Sequence, residues 1–362
     1  MADRYWVGGS GTWSAASTTN WAASSGGASG ASAPTTADNV IFDNNSNVGT
    51  GIFTVTISTA SCLNMSFGTG ASALDGVMTL AGTTGLTIAG SLTLPTTNLT
   101  ITYTGAITFS ATTTQTITTN GYILDSPITF NGVGGTWALI GNLTMSTATR
   151  TLTLTNGTFN ANGYNVTIGL FSSSNSNTRA LQMGGGVWTI LGSGATAWSL
   201  ATTTGMTLTN SNSMIDLTST TAKTFAGGGL SYGTLRNSGS GALTITGANT
   251  FVNLRSVANT VFPGSATTTV TDGLSLNGRY GSLTYLRSSA GSATISKASG
   301  KVYTTFCNIA NTTATGGATF RAPATPLTSY GNVDGGTNSG WTFIAIGATD
   351  NPNPGGFSSF FS

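Results

Sequence analysis

The chain has 362 residues, of which only 6% are charged; its net charge is +2 and it contains no His. That composition excludes Ser-His-Asp triads, His general bases and His metal ligands, and leaves too few clustered cations for a phosphate-binding surface, since ordinary soluble domains are about 25% charged. All nine acidic residues are Asp. Strong helix formers are nearly missing, while Thr, Val, Ile and aromatic residues are placed periodically through a chain that is 38% hydrophobic. We therefore read the protein as all-β, with enough apolar surface to bury a core.

Residues 1–50 differ from the rest. Trp6, Trp13 and Trp21 stand in a Gly/Ser-rich stretch that ends in a strand around Val40–Phe42. We expect them to cap the open end of a repetitive core; the alternative is an aromatic platform that stacks on sugars.

Residues 51–343 repeat one short word, Gly-x-apolar-x-apolar-x-Gly. It reads GVMTLAG from Gly76, GTWALIG from Gly135, GVWTILG from Gly186 and GALTITG from Gly241, at offsets of 59, 51 and 55 residues. Thr-rich relatives such as SLTLPTT, TLTLTNGTF and TTTVTDG fill the gaps. Self-similarity at this scale marks a solenoid, in which each rung buries its apolar face against its neighbours. Trp137, Leu139, Trp188, Ile190, Leu243 and Ile245 are the expected core positions of these words. Turn pairs recur at Asn120–Gly121, Asn156–Gly157, Asn162–Gly163, Asp75–Gly76 and Asp272–Gly273. Such pairs favour hairpins, and so a β-sandwich array. The uninterrupted run of strand words without linkers favours a right-handed parallel β-helix, with roughly 20–30 residues per coil and on the order of ten to fifteen coils.

Residues 344–362 lose the pattern: Pro352 and Pro354 block strand pairing, and Phe357, Phe360 and Phe361 make the end apolar. This irregular tail reads either as a frayed end or as an anchor peptide that docks on a partner. Cys62 and Cys307 are too far apart on a solenoid to form a disulfide and are expected as free, buried thiols. No apolar leader core opens the chain and no window approaches 18 apolar residues, so we expect cytoplasmic synthesis without a classical leader and no membrane insertion.

Little in the sequence points to catalysis. Asp43, Asn45 and Asn47 have the alternate spacing of a calcium loop, but Val48 stands where Gly is needed and the bidentate Glu is missing. A polysaccharide depolymerase would need two carboxylates roughly 5–9.5 Å apart. Asp75, Asp125, Asp216 and Asp272 are the candidates in the solenoid body, and none is one coil from another. The densest basic stretch, Arg279, Arg287, Lys297 and Lys301, reads as solvated turn residues rather than a nucleic-acid patch. Thr-x-Thr words occur at irregular intervals, as solvent-side Thr of ordinary strands do, and not as the flat ladder that ice binding requires.

The opening WVGGSGTW, NW and DNVIFD, the stretch from Thr151 to Ile190, FAGGGL near Phe225, and ATGGATF with NVDGGTNSGWTF resemble phage virion proteins built on β-helices, and autotransporter-like surface adhesins. The resemblance covers residues 1 to about 343. It implies a non-enzymatic tail fibre, spike or capsid decoration, other virion proteins as partners, attachment to host-surface polysaccharide, and a homotrimer; it supplies no catalytic residues and no cofactor. A bacterial cell-surface adhesin and a polysaccharide-degrading tailspike are the competing readings.

Overall fold

Alternating large and small residues make short strands. In Phe53–Ser58, the side chains of Phe53, Val55 and Ile57 are buried, while Thr54, Thr56 and Ser58 lie toward solvent. A period of two follows from the pleat. About half of the chain is strand, and Gly70–Ser72 is the sole helical turn among the described residues. The structure, a computed structural model, describes residues 1–47, 49, 51–210, 212–324 and 331–343.

The strands wind into a right-handed parallel β-helix of about 13 turns, the hand that parallel crossovers almost always take. At about 4.8 Å per rung the stack is roughly 60 Å long. Each strand pairs with one a full coil later. Val40 lies beside Met65, Met65 beside Leu92 and Leu92 beside Ile117 on one face. Val166, Trp188, Ile215 and Leu235 stack on a second face. Ile88, Phe109, Phe130 and Leu154 stack on a third. The β-sandwich alternative fails, because the antiparallel contacts among the described residues are one two-residue strand and one isolated bridge.

Coil length does not stay within 20–30 residues throughout. Thr244 pairs with Val261 and Leu235 with Leu254, advances of 17 and 19 residues. In this region the first face lapses after Met206–Thr209, so the chain turns directly from the third face to the second. A third column returns at Lys301–Tyr303, Thr319–Arg321 and Trp341–Thr342.

The Gly-flanked word marks a strand between two corners, on any face. Met78–Ala81 lies on the second face, Thr136–Leu139 on the first, Val187–Ile190 on the second and Leu243–Thr246 on the third. The Asn-Gly pairs likewise make corners and not hairpins. Asn120 and Gly121 have φ of 48° and 86°, and Asn162 and Gly163 have 52° and 82°. Two successive positive φ values are the type I′ signature, here used to turn one strand toward the next face of the same coil.

Side-chain amides tie rungs together at the corners. Asn39 Nδ2 donates to Asp3 Oδ1 (2.8 Å), Asn64 Nδ2 to Asn39 Oδ1 (2.8 Å), the Ser91 amide to Asn64 Oδ1 (2.7 Å), and Ser91 Oγ to Gln115 Oε1 (2.7 Å). This ladder crosses five successive coils and satisfies polar groups where the backbone turns away from the sheet.

Candidate functional site

At the N-terminal end, β1 (Asp3–Trp6) and β2 (Gly11–Ser14) are themselves rungs. β1 pairs in parallel with Asn39–Phe42, and β2 with Phe53–Ser58. β3 (Trp21–Ala22) runs antiparallel to β1, with Trp6 opposite Trp21, and covers its outer edge. Covering an edge removes a template for further strand addition. Trp6, Trp13 and Trp21 are fully buried; Trp6 and Trp13 meet Trp21 edge-on at 5.0 and 5.4 Å, and all three lie over Phe42. Their faces pack on one another, which leaves none open to stack on a sugar.

Trp137, Leu139, Trp188, Ile190, Leu243 and Ile245 are also fully buried. Trp188 touches the rings of Phe159, Phe171 and Trp198 at 5.9, 6.0 and 5.8 Å. These side chains belong to one contiguous apolar core along the described rungs. Phe357, Phe360 and Phe361 lie outside the described residues.

No strand register sets two carboxylates side by side among the described residues. Asp125 accepts from the amides of Ser146 (3.0 Å) and Thr147 (2.8 Å) and from the Thr147 hydroxyl (2.6 Å), with Arg150 Nε 3.8 Å away. Burial raises the Asp125 carboxyl, but these hydrogen bonds together outweigh it and hold the group below its ordinary value. A general acid needs the opposite shift. Asp216 is buried on the second face and accepts from Arg236 at 2.7 Å. Asp75 and Asp272 are exposed, the first in the loop ahead of Met78–Ala81 and the second within Thr267–Leu276.

Asp43 is buried, and its Oδ1 accepts the Asn45 amide (2.9 Å) while Asn45 Nδ2 reaches Ser25 (2.8 Å). That is an Asx turn locking its own loop. Val48, which the calcium reading also involved, lies outside the described residues. No group of three His, Cys, Asp or Glu side chains gathers among the described residues. Cys62 and Cys307 are free and buried, and burial raises both thiols. No helix among the described residues is long and apolar enough to cross a membrane.

Three cations are buried in the coil, Arg179, Lys223 and Lys297. Arg179 is 2% exposed and donates to the carbonyls of Ser173, Asn177, Thr202 and Thr204 and to the Ser173 hydroxyl. It thereby clamps the loops of two successive rungs. Lys223 Nζ donates to the carbonyls of Ser219 and Gly241, again on neighbouring rungs. Desolvation lowers the Lys223 ammonium to about 8, opposed by Asp216.

Lys297 is buried, against the expectation that the whole basic stretch is solvated; it follows Ile295 at the inward phase of Ala293–Ser296. Arg279, Arg287 and Lys301 are exposed. Beside them stand features that motif reading passes over. Tyr280 and Tyr285 are 73% and 40% exposed, and the Arg287 guanidinium lies 4.4 Å from the centre of the Tyr285 ring. The signal was present in the sequence as charge segregation: residues 273–333 contain five cations and no acid.

The chain matches no protein-family model, no curated protein and no solved structure.

Proposed function

We propose that this chain is a non-catalytic bacteriophage virion protein, a tail fibre, spike or capsid decoration made in the host cytoplasm and displayed on the particle. Its partners are other virion proteins and host-surface polysaccharide, and its default assembly is a homotrimer. The observation that carries the reading is the uninterrupted stack of about 13 rungs around one contiguous apolar core. A solenoid of this kind is a rigid spacer with a long repetitive flank, suited to holding an attachment surface away from a body. Its solubility rests on outward Thr, Ser and Asn rather than on charge.

Gold-labelled antibody against the chain, applied to purified particles from lysed host cultures, is the decisive experiment, and we expect label on the particle surface. Label confined to the envelope of uninfected cells would overturn the virion assignment and move the chain to the surface-adhesin reading. Incubation with host polysaccharide should leave its viscosity unchanged; a progressive fall would overturn the non-catalytic assignment. Light scattering reads the assembly, with a mass three times that of one chain expected.

A further inference from the structure

We infer that Tyr280, Tyr285 and Arg287, with Arg279 beside them, form a binding strip for an acidic, carboxylate-bearing polysaccharide. The inference deepens the attachment reading and rests on it for the host origin of the polymer.

The strip is built by the scaffold. Arg279 and Ser282 exchange backbone hydrogen bonds of 3.1 and 2.9 Å, and Gly281 at φ +75° closes the loop that presents Tyr280. The Tyr280 ring meets Phe306 edge-on at 6.0 Å. Phe306, at φ +53°, turns the chain into Cys307–Ala310, whose Cys307 and Asn308 pair with Thr284 and Tyr285. Tyr280 is thereby tied to the residue that leads into the rung beside Tyr285. Tyr285 and Arg287 alternate outward along Thr284–Ser288, on one side of that strand. The amide of Tyr285 is held by Asn259 Oδ1 at 2.8 Å, which fixes the strand that carries it.

The chemistry selects the occupant. Exposed Tyr faces offer flat, rigid stacking area at low entropic cost. The Arg287–Tyr285 pair adds a preoriented cation at the ring face. Residues 273–333 carry Arg279, Arg287, Lys297, Lys301 and Arg321 and no acid, while the remainder of the chain carries six cations and nine acids. Lys297 is buried, and Arg279, Arg287 and Lys301 are exposed, so the surface of this segment is positive and complementary charge steers a polyanion there. Asp272 and Asp334 flank the segment in sequence, and Asp334 lies on the face of the strip, beside Ile309, which pairs with Leu286. Asp272 is exposed, and Asp334 accepts from the Gly336 amide (2.9 Å) and Asn338 Nδ2 (2.7 Å). Duplex nucleic acid fits less well, because it needs a dense cationic row that neutralises many phosphates.

The test uses the full chain against three immobilised polymers: polygalacturonate, neutral dextran and duplex DNA. We expect salt-sensitive binding to polygalacturonate alone. Tyr285→Ser and Arg287→Ala should each weaken it roughly tenfold or more, the scale of one lost stacking or charge contact. Tyr164→Ser, which removes an exposed Tyr elsewhere on the rod, should leave it unchanged. All three variants alter exposed side chains, and unchanged melting confirms that they fold. Equal binding by wild type and strip variants, or DNA or dextran bound as tightly as polygalacturonate, would sink the inference. Particle labelling with no effect of the strip variants defeats the strip and leaves the virion reading standing. Strip-dependent binding by a chain that labels no particle does the reverse.

Discussion

The middle of the rod and its C-terminal third share the same parallel rungs but differ in how many rings they bury. Between Phe109 and Phe251 most rings face inward and touch in series: Phe109, Phe130 and Phe159 stack at 5.3 and 4.5 Å, Phe171 meets Trp198 at 4.3 Å, and Tyr232 meets Phe251 at 5.8 Å, while Tyr164 stands outside. From Thr260 onward Phe262 and Phe320 are the fully buried rings among the described residues, and the interior is otherwise filled by aliphatic residues such as Val270, Leu286, Ile295 and Ile309 with buried Thr260, Thr268, Thr284, Thr304 and Thr312. There the large rings Tyr280 and Tyr285 stand outside. A rung needs a filled, dry interior but not a particular filling. Where rings fill it they contribute apolar area and packing; where aliphatic residues suffice, rings are free for the surface. The middle should therefore hold most of the stability, and the C-terminal third most of the recognition.

Removing a ring from the middle is the most severe way to break this contrast. Trp188→Ala should destabilise the protein by about 3–5 kcal/mol, from lost burial plus the cavity left among Phe159, Phe171 and Trp198. Ile295→Val, in the aliphatic interior, should cost only about 1 kcal/mol. Urea unfolding followed by near-ultraviolet circular dichroism measures both. Equal losses would mean that the two interiors contribute alike, and the comparison would fall.

Next in size is the clamp inside the middle region. Arg179→Leu keeps apolar volume but removes the donor for four carbonyls, so burial should leave several of them unsatisfied. We expect a loss of roughly 2–4 kcal/mol, seen as a lower urea midpoint. A loss under about 0.5 kcal/mol would show that water replaces the guanidinium and that the two rung loops need no clamp.

Much of this architecture was legible in the sequence. Alternation within words such as GVWTILG gave strand, buried face and core residue together, because a pleat has a fixed period of two. Coil phase was not legible. The word falls on all three faces, since any strand flanked by tight corners satisfies it. Gly157 shows why the corner signal misled: its φ of +76° belongs to a bend within Thr151–Asn160, where a Cβ would lie 2.5 Å from the Gly132 carbonyl. A hairpin and a coil corner ask the same conformation of Asn-Gly, so local chemistry alone does not separate them. The buried cations were hidden for a related reason. Arg179, Lys223 and Lys297 stand at inward phases, and the partners of Arg179 and Lys223 are carbonyls of neighbouring rungs, which no spacing rule reports. The tyrosine strip was readable only as a segment without acids, a signal of charge and not of motif.

A smaller change sharpens the view of the C-terminal interior. Thr268 is buried with its hydroxyl unpartnered, and it pairs in register with Ile295. Thr268→Val replaces the hydroxyl with a methyl in nearly the same shape, and should stabilise by about 1 kcal/mol. Thr260→Val is the matched opposite, because Thr260 Oγ1 donates to Ser256 Oγ (2.8 Å) and the Ala258 carbonyl (3.0 Å); it should cost about 1 kcal/mol. Urea midpoints moving in opposite directions would separate hydroxyls that hold this interior from those merely enclosed in it. Movement in the same direction would show that the Thr-lined interior is insensitive to its hydrogen bonds.

A pH dependence is seated at Lys223. Its ordinary ammonium pKa of 10.5 falls to about 8 in the folded chain through desolvation, with Asp216 opposing. Below pH 8 the group is protonated in both states, and the cost of enclosing its charge is fully present. Above pH 8 the folded chain releases this proton while the unfolded chain keeps it, so stability should rise with pH toward 10.5. Cys62, Cys307, Tyr103 and Tyr232 act the other way. Burial raises both thiols above their ordinary 9.0 and both phenols above their ordinary 10.0, so near those pH values the unfolded chain loses protons that the folded chain retains, and stability falls. Those groups are common to wild type and Lys223→Met, so the Lys223 contribution is read as the difference between their urea midpoints at constant ionic strength, which should shift in favour of the wild type between pH 8 and about 9.5. A difference that stays constant with pH would show that the carbonyls of Ser219 and Gly241 hold the ammonium charged inside the coil, which would make Lys223 a permanent clamp like Arg179.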